Sequence, residues 1–253
     1  MSKLLRDTRL IFGASLNKTL RNPIWTFIGL FQPALYLLLF APLLGQMMGR
    51  DAADGAVLQQ FTPGLLIMMS MFGSVFAGFG LIDDLRSGVI ERLRVTPVSR
   101  LALLVGRVLM DVVTLMAQCA VLVIIATLMG LRVEPIGLLL TLLLVALIGA
   151  ALAALSYALA MLTKDEGGLA SVVNTFSQPV LLLSGVLLPM AFAPTLIKTL
   201  ANINPFSHAV DAARALFVGQ TSDPSVLLGF GLMVLFAALT FAWATRMFRT
   251  ATA

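Results

Sequence analysis

The chain is short of most of the residues from which active sites are built. Its 253 residues include one cysteine, one histidine, two tryptophans and two tyrosines, and only 11% are charged. Cys119 is alone within an apolar run, which excludes a disulfide framework and a cysteine metal site. A single histidine, His208, cannot build a metal cluster. His-Glu-x-x-His, Gly-x-Ser-x-Gly and Cys-x-x-Cys are all missing, so the common hydrolase and redox signatures give no support to an enzyme. There is no Gly-x-x-x-x-Gly-Lys-Ser/Thr loop, so a P-loop for ATP would have to come from another polypeptide. The charged fraction is under half of the ~25% found in soluble domains.

What remains is apolar. Hydrophobic residues make up 59% of the chain and the mean hydropathy is +1.00. One soluble core could not bury so much apolar surface behind so few charges, so the class is a polytopic all-α membrane protein. The net charge of +5 reads as loop cations on one side of a bilayer, not as a nucleic-acid surface. No signal peptide is evident, because the first apolar run is too long for one and follows about twenty residues, several of them basic.

Six runs almost free of charge are expected to span: Ile24–Gly49, Gly55–Ile82, Val112–Leu131, Pro135–Thr163, Gly167–Ile197 and Pro224–Thr245. Each reaches the roughly 20 residues that a hydrocarbon layer about 30 Å thick requires. Six crossings place both termini on one side. Of the 17 Lys and Arg, only Arg50, Arg132, Lys198 and Arg214 then fall on the other side, which makes the terminal side cytoplasmic. The fifth run is long and interrupted by Pro179, Pro189 and Pro194, so a span followed by one or two short helices dipping back into the outer leaflet is expected there.

The longest charge-rich stretch, Asp83–Arg107, holds Arg86, Arg92, Arg94, Arg100 and Arg107. Each arginine would cost about 2.5–3.5 kcal/mol at the centre of a spanning helix, so the stretch lies in water. Leu85, Val89 and Leu93 recur at i, i+4, i+8 and predict a short amphipathic helix on the membrane surface. Thr96-Pro97 ends that helix and Ser99 can cap the next. Lys3–Leu20 also alternates on a helical period, with Leu4, Leu5, Ile11, Phe12 and Leu16 on one side, and predicts an interfacial helix that Arg21-Asn22-Pro23 breaks.

Polar residues inside the runs are few. Ser171, Asn174, Thr175 and Gln178 share one helical face that either lines a path or bonds between helices. Gln32 and Tyr36, four apart, pose the same choice. Ser70, Ser74 and Gly78 form a small-residue ridge for helix packing. Asp111 follows Arg107 by four residues, which favours an ion pair at a helix end over an intramembrane functional carboxylate. His208 and Asp211 favour a structural hydrogen bond over a pH sensor.

Several stretches together carry a likeness. They are Phe61-Thr62-Pro63-Gly64-Leu65-Leu66 at the second span, Glu91–Arg100 in the charged loop, Ser184-Gly185-Val186 at the end of the fifth span, and Asn204-Pro205-Phe206 beyond it. In their order and spacing the chain resembles the membrane subunit of type-2 ABC exporters. The resemblance implies a coupling helix around Leu85–Val95 seated in a separate nucleotide-binding ATPase subunit, with Leu85, Val89 and Leu93 seating it and Arg86, Glu91 and Arg92 as polar contacts. It implies a second permease subunit, identical or not, with the first and fifth spans along the substrate path, which would put Gln32, Tyr36, Ser171, Asn174 and Gln178 on its lining. ATP and magnesium would belong to the partner, leaving this chain with no cofactor and no catalytic residue. The expected organisation is one permease domain, 1–253, with an interfacial helix at 1–22, a coupling loop at 83–100 and a re-entrant outer region at 189–223, in the bacterial cytoplasmic membrane. Sixteen phenylalanines against so few tyrosines and tryptophans lean toward an amphiphilic drug or lipid over a saccharide. An ion-coupled secondary transporter is the alternative, with Asp111 the one carboxylate that approaches its requirements.

Overall fold

Capping residues and prolines punctuate this chain where the hydropathy changes. The computed structural model describes residues 3–21, 24–47, 55–89, 99–186 and 194–250, and among them every regular element is an α-helix. In chain order these are α1 (Lys3–Arg21), α2 (Ile24–Met47), α3 (Ala56–Val75), α4 (Ala77–Arg86), α5 (Arg100–Leu128), α6 (Pro135–Thr163), α7 (Glu166–Leu183), α8 (Thr195–Ile203), α9 (Pro205–Phe217) and α10 (Pro224–Thr250). Ser99 caps α5 by accepting the Ala102 amide at 3.1 Å, and Asp165 caps α7 by accepting the Gly168 amide at 2.9 Å. Pro135 and Pro205 occupy the first turns of α6 and α9, where a missing N–H leaves no bond unmade.

Among the described residues, five segments are long and apolar enough to cross a membrane: Thr26–Leu43, Ala56–Arg86, Arg100–Leu128, Pro135–Thr163 and Pro224–Phe248. The second of these is α3 and α4 taken together. The fifth expected span, Gly167–Ile197, overlaps α7, whose 18 residues fall short in apolarity because Glu166, Asn174 and Gln178 are among them. The third expected span starts earlier than anticipated: α5 is continuous from Arg100, so Arg100 and Arg107 belong to it. Arg107 is held within the helix by Asp84 of α4, which accepts from its guanidinium at 2.6 Å, and α1 packs along α5.

α6 lies at the centre and packs against α3, α4, α5, α7, α9 and α10. Its small residues Ala151, Ala153, Ala154, Ala158 and Ala160 are buried and let neighbouring backbones come close. One close approach is at the break between α3 and α4. There the Ser156 hydroxyl accepts the Gly78 amide at 2.9 Å and donates to the Val75 carbonyl, satisfying groups the kink releases. A β-carbon on Gly78 would sit 2.6 Å from Ser156 oxygens, so only glycine fits. Ser70 and Ser74 are buried as expected of a packing ridge.

Beyond α7 the chain makes two short helices. α9 buries Phe206, Val210, Ala213 and Phe217 and packs against α10 and α3, while α8 before it is largely exposed.

Candidate functional site

At one end of the bundle, charges from four elements converge. Lys18 of α1 lies 2.9 Å from Asp84 and 3.5 Å from Asp83, both in α4. Asp84 also accepts from Arg107 Nη2 at 2.6 Å, and both partners are nearly buried, at 13% and 11% side-chain exposure. Arg86 forks to Glu166 at 2.7 Å and Asp165 at 3.1 Å, tying α4 to the start of α7. Asp7 of α1 is buried and accepts the Ser99 amide at 3.3 Å.

This end differs from the sequence expectation in three respects. First, the helix expected through Leu85–Val95 is interrupted: α4 stops at Arg86, and Ser87-Gly88 form a turn in which Gly88 has φ +71° and the Ser87 hydroxyl donates to Asp83 O. Leu85 and Arg86 therefore end the second spanning segment. Leu85 packs partly buried beside Leu81 and Leu104, while Val89 is exposed past the turn. Glu91, Arg92 and Leu93 lie outside the described residues. Second, Arg107 pairs with Asp84 instead of Asp111; the Asp111 carboxylate accepts from the Tyr157 hydroxyl at 2.5 Å. Third, α1 turns Asp7 and Ile11 toward the protein and leaves Leu4, Leu5, Leu10 and Leu20 exposed, so its inward strip is centred on a carboxylate that the hydrophobic period does not mark.

The opposite end gathers the stretches on which the family likeness rests. Arg214 of α9 donates Nη2–H to Gly185 O at 2.8 Å and Nε–H to Gln60 O at 3.2 Å, next to Phe61-Thr62-Pro63-Gly64. Asn204 donates to Val180 O at 2.8 Å and accepts the Phe206 amide at 3.1 Å. Three stretches far apart in sequence thus form one junction. His208 takes Asn202 O as its partner at 3.0 Å, not Asp211, because the ring turns back toward α8.

Between the two ends lies the polar face of α7. Leu169, Val173 and Leu181 are buried, while Ser171, Asn174, Thr175 and Gln178 are all exposed. Ser171 satisfies itself on Gly167 O at 2.9 Å, whereas Asn174 and Gln178 have no hydrogen-bond partner among the described residues. In α2, Gln32 donates to the Tyr36 hydroxyl at 3.1 Å. α2 is the least buried of the spanning helices and is held in part by Gln118 of α5, which donates to Thr26 O at 2.7 Å. α2 and α7 each pack on α3. No group of metal-ligating side chains exists among the described residues.

Sequence reasoning missed the Lys18–Asp84–Arg107 link, the Arg86 fork, Ser156, Asp7 and the Arg214 junction. No local signal marks them, because each partner lies tens of residues away along the chain.

Comparison with known proteins places this architecture. A family model described as "ABC-2 type transporter" matches residues 6–218. The daunorubicin resistance ABC transporter permease protein DrrB1 of Streptomyces coeruleorubidus is 26% identical over 214 residues, covering 82% of this chain and 75% of the relative. A protein of Cyanophora paradoxa, named for a transport permease role as ycf38, is 27% identical over 200 residues, covering 78% of this chain and 69% of its own. Its namesake in Porphyra purpurea is 25% identical over the same length. With apolar spanning helices, a charged end and a family match running from α1 through α9, the chain belongs to the ABC-2 type transporter family, as a multi-pass membrane permease.

Proposed function

We propose that this chain is the export permease of an ABC transporter in a bacterial cytoplasmic membrane, paired with a second permease copy and driven by a separate ATPase subunit that holds ATP and magnesium. It crosses the membrane six times as one domain. α7 is the fifth crossing, α1 lies in the interface, residues 83–100 form the coupling loop and residues 189–223 the re-entrant outer region. Both termini and the charged end face the cytoplasm, in keeping with the excess of Lys and Arg there.

The observation that carries the reading is the ion-pair cluster Lys18–Asp84–Arg107 with Arg86–Asp165/Glu166, which ties α1, α4, α5 and α7 together beside the 87–98 segment. A force applied to that segment reaches several spanning helices through rigid contacts. Leu85, Val89 and Leu93 with Arg86, Glu91 and Arg92 would make the contact with the ATPase. Nucleotide closure of two ATPase subunits then switches the spans between inward- and outward-open states.

The exposed amides Asn174 and Gln178 support a path or a second copy against α7, since an unpaired amide facing lipid is costly. Gln32 and Tyr36 would line the same path. An amphiphilic drug or lipid-like substrate fits the phenylalanine-rich composition, and drug resistance is what the name of the DrrB1 relative states.

The test is co-purification of the detergent-solubilised chain, followed by transport and substrate-stimulated ATPase assays of the complex. An ATPase subunit should come with the chain, and Glu91→Ala with Arg92→Ala should reduce both activities. Ion-driven uptake with no ATPase attached would instead favour a secondary transporter, and unchanged activities in the double variant would reject the coupling residues.

A further inference from the structure

One helix grips the chain both where it enters and where it leaves the 90–98 segment. On the entering side, Lys18 of α1 holds Asp84 at 2.9 Å and Asp83 at 3.5 Å, at the C-terminal end of α4. On the leaving side, Asp7 of α1 accepts the amide of Ser99 at 3.3 Å, at the N-cap of α5. Asp7 and Lys18 are about three turns apart on the same helix. Between them α1 lies directly on α5: a β-carbon built on Gly106 would come within 2.9 Å of Ile11 Cβ and 3.1 Å of Thr8 O. The ring closes through Asp84, which also binds Arg107 of α5 at 2.6 Å.

The signs of the two grips match the helix ends they hold. The carboxylate of Asp7 faces the positive N-terminal end of α5, and the ammonium of Lys18 faces the negative C-terminal end of α4. Reversing α1 along its axis would put like against like at both places. Asp7 is 3% exposed and Lys18 is well exposed, so the first grip is buried while the second rests on a nearly buried Asp84.

We infer that α1 is a brace, with Asp7 and Lys18 as positioning residues, that makes the two roots of the 90–98 segment move as one body. The inference rests on the reading of that segment as the contact with the ATPase. Without the brace, a push on the segment would splay α4 from α5 and be lost. With it, the push moves both spanning helices together. The brace stays closed through the cycle.

A disulfide between Ile11→Cys and Gly106→Cys, in a Cys119→Ser background, tests that closure. The two β-carbons would stand 2.9 Å apart, so α1 and α5 need part by only about 0.6 Å to reach the separation of about 3.5–4.5 Å that disulfides span. In the complex purified with its ATPase, the oxidised variant is expected to transport at the rate of the same variant reduced by dithiothreitol. Transport that returns only on reduction would overturn the inference, because α1 would then have to leave α5 during the cycle.

Lys18→Gln and Asp7→Asn test the load path. Substrate moved per ATP hydrolysed should fall about fivefold or more in each, and Lys18→Arg should restore it to within about twofold, the lower range of measured coupling between sites. Hydrogen exchange at the Ala102 and Leu103 amides, where α5 begins, should accelerate in Lys18→Gln and Asp7→Asn. That last measurement needs no ATPase. Unchanged protection there overturns the brace even if the coupling assignment stands, whereas faster exchange in a chain that recruits no ATPase would leave the brace in place and remove the reading on which its purpose depends.

Discussion

The guanidinium of Arg214 holds the carbonyl of Gly185 at 2.8 Å while its Nε reaches the carbonyl of Gln60 at 3.2 Å, so a single side chain on α9 joins the end of α7 to the start of α3. Both acceptors are backbone oxygens: Gly185 lies just past the last turn of α7 with φ +73°, and Gln60 lies in the first turns of α3, three residues before Pro63.

Arg214→Ala leaves the part-buried Gly185 carbonyl without this donor, and an unsatisfied buried group costs about 1–3 kcal/mol, while the exposed Gln60 carbonyl can turn to solvent. Arg214→Lys should rescue little, because one ammonium cannot reproduce the planar fork that serves two acceptors. Thermal unfolding of the purified protein in detergent should show both variants destabilised. A lysine variant as stable as the native protein would contradict the two-acceptor role.

The kink between α3 and α4 depends on Ser156. Ser156→Ala strands the Gly78 amide and should lower stability by about 1–3 kcal/mol. Gly78→Ala should cost more, since its methyl would meet Ser156 backbone and side-chain oxygens at 2.6 Å in a well-packed core. The ranking of the two variants in one thermal series is the check.

Asn174→Leu and Gln178→Leu should leave the unfolding of the isolated chain within about 0.5 kcal/mol of the native value, as for exposed positions that hold nothing together. If the amides meet a path or a second copy, the same variants change transport or the permease pairing. Transport assays beside cross-linking of the solubilised protein separate those two effects.

A pH effect is expected at the start of α10. The Asp223 carboxylate is held below the ordinary value of 3.8 first by a hydrogen bond with the Ser225 side chain and then by the Ser225 amide, which it accepts at 2.8 Å. A depressed folded-state value means that the stabilisation is present above 3.8 and disappears as pH falls through the folded value. Asp223→Ala should therefore melt earlier than the native protein at neutral pH, with the gap closing in strong acid. A gap that widens with acid would contradict the assigned bond.

Much of the bundle was legible in the residues themselves, because the signals involved are local. An uncharged run of spanning length and the serine before α5 each act within a few residues and appear where expected, and Pro135, Asn204 and Pro205 act just as locally at the starts of α6 and α9. Gly88 is equally local, yet the i, i+4, i+8 leucine–valine stripe masks it in the sequence; the left-handed turn it adopts ends α4 at Arg86.

Composition and pattern determined that this is a helical membrane protein with one heavily basic region. Tertiary packing alone decided who holds whom. Lys18 and Asp84 are 66 residues apart, Arg86 and Glu166 are 80, and Asp7 and Ser99 are 92. Periodicity says which face of a helix is apolar, but an ion pair needs two side chains within about 4 Å. That proximity exists only once α6 has drawn the other helices around its alanines and brought the charged ends of α1, α4, α5 and α7 together.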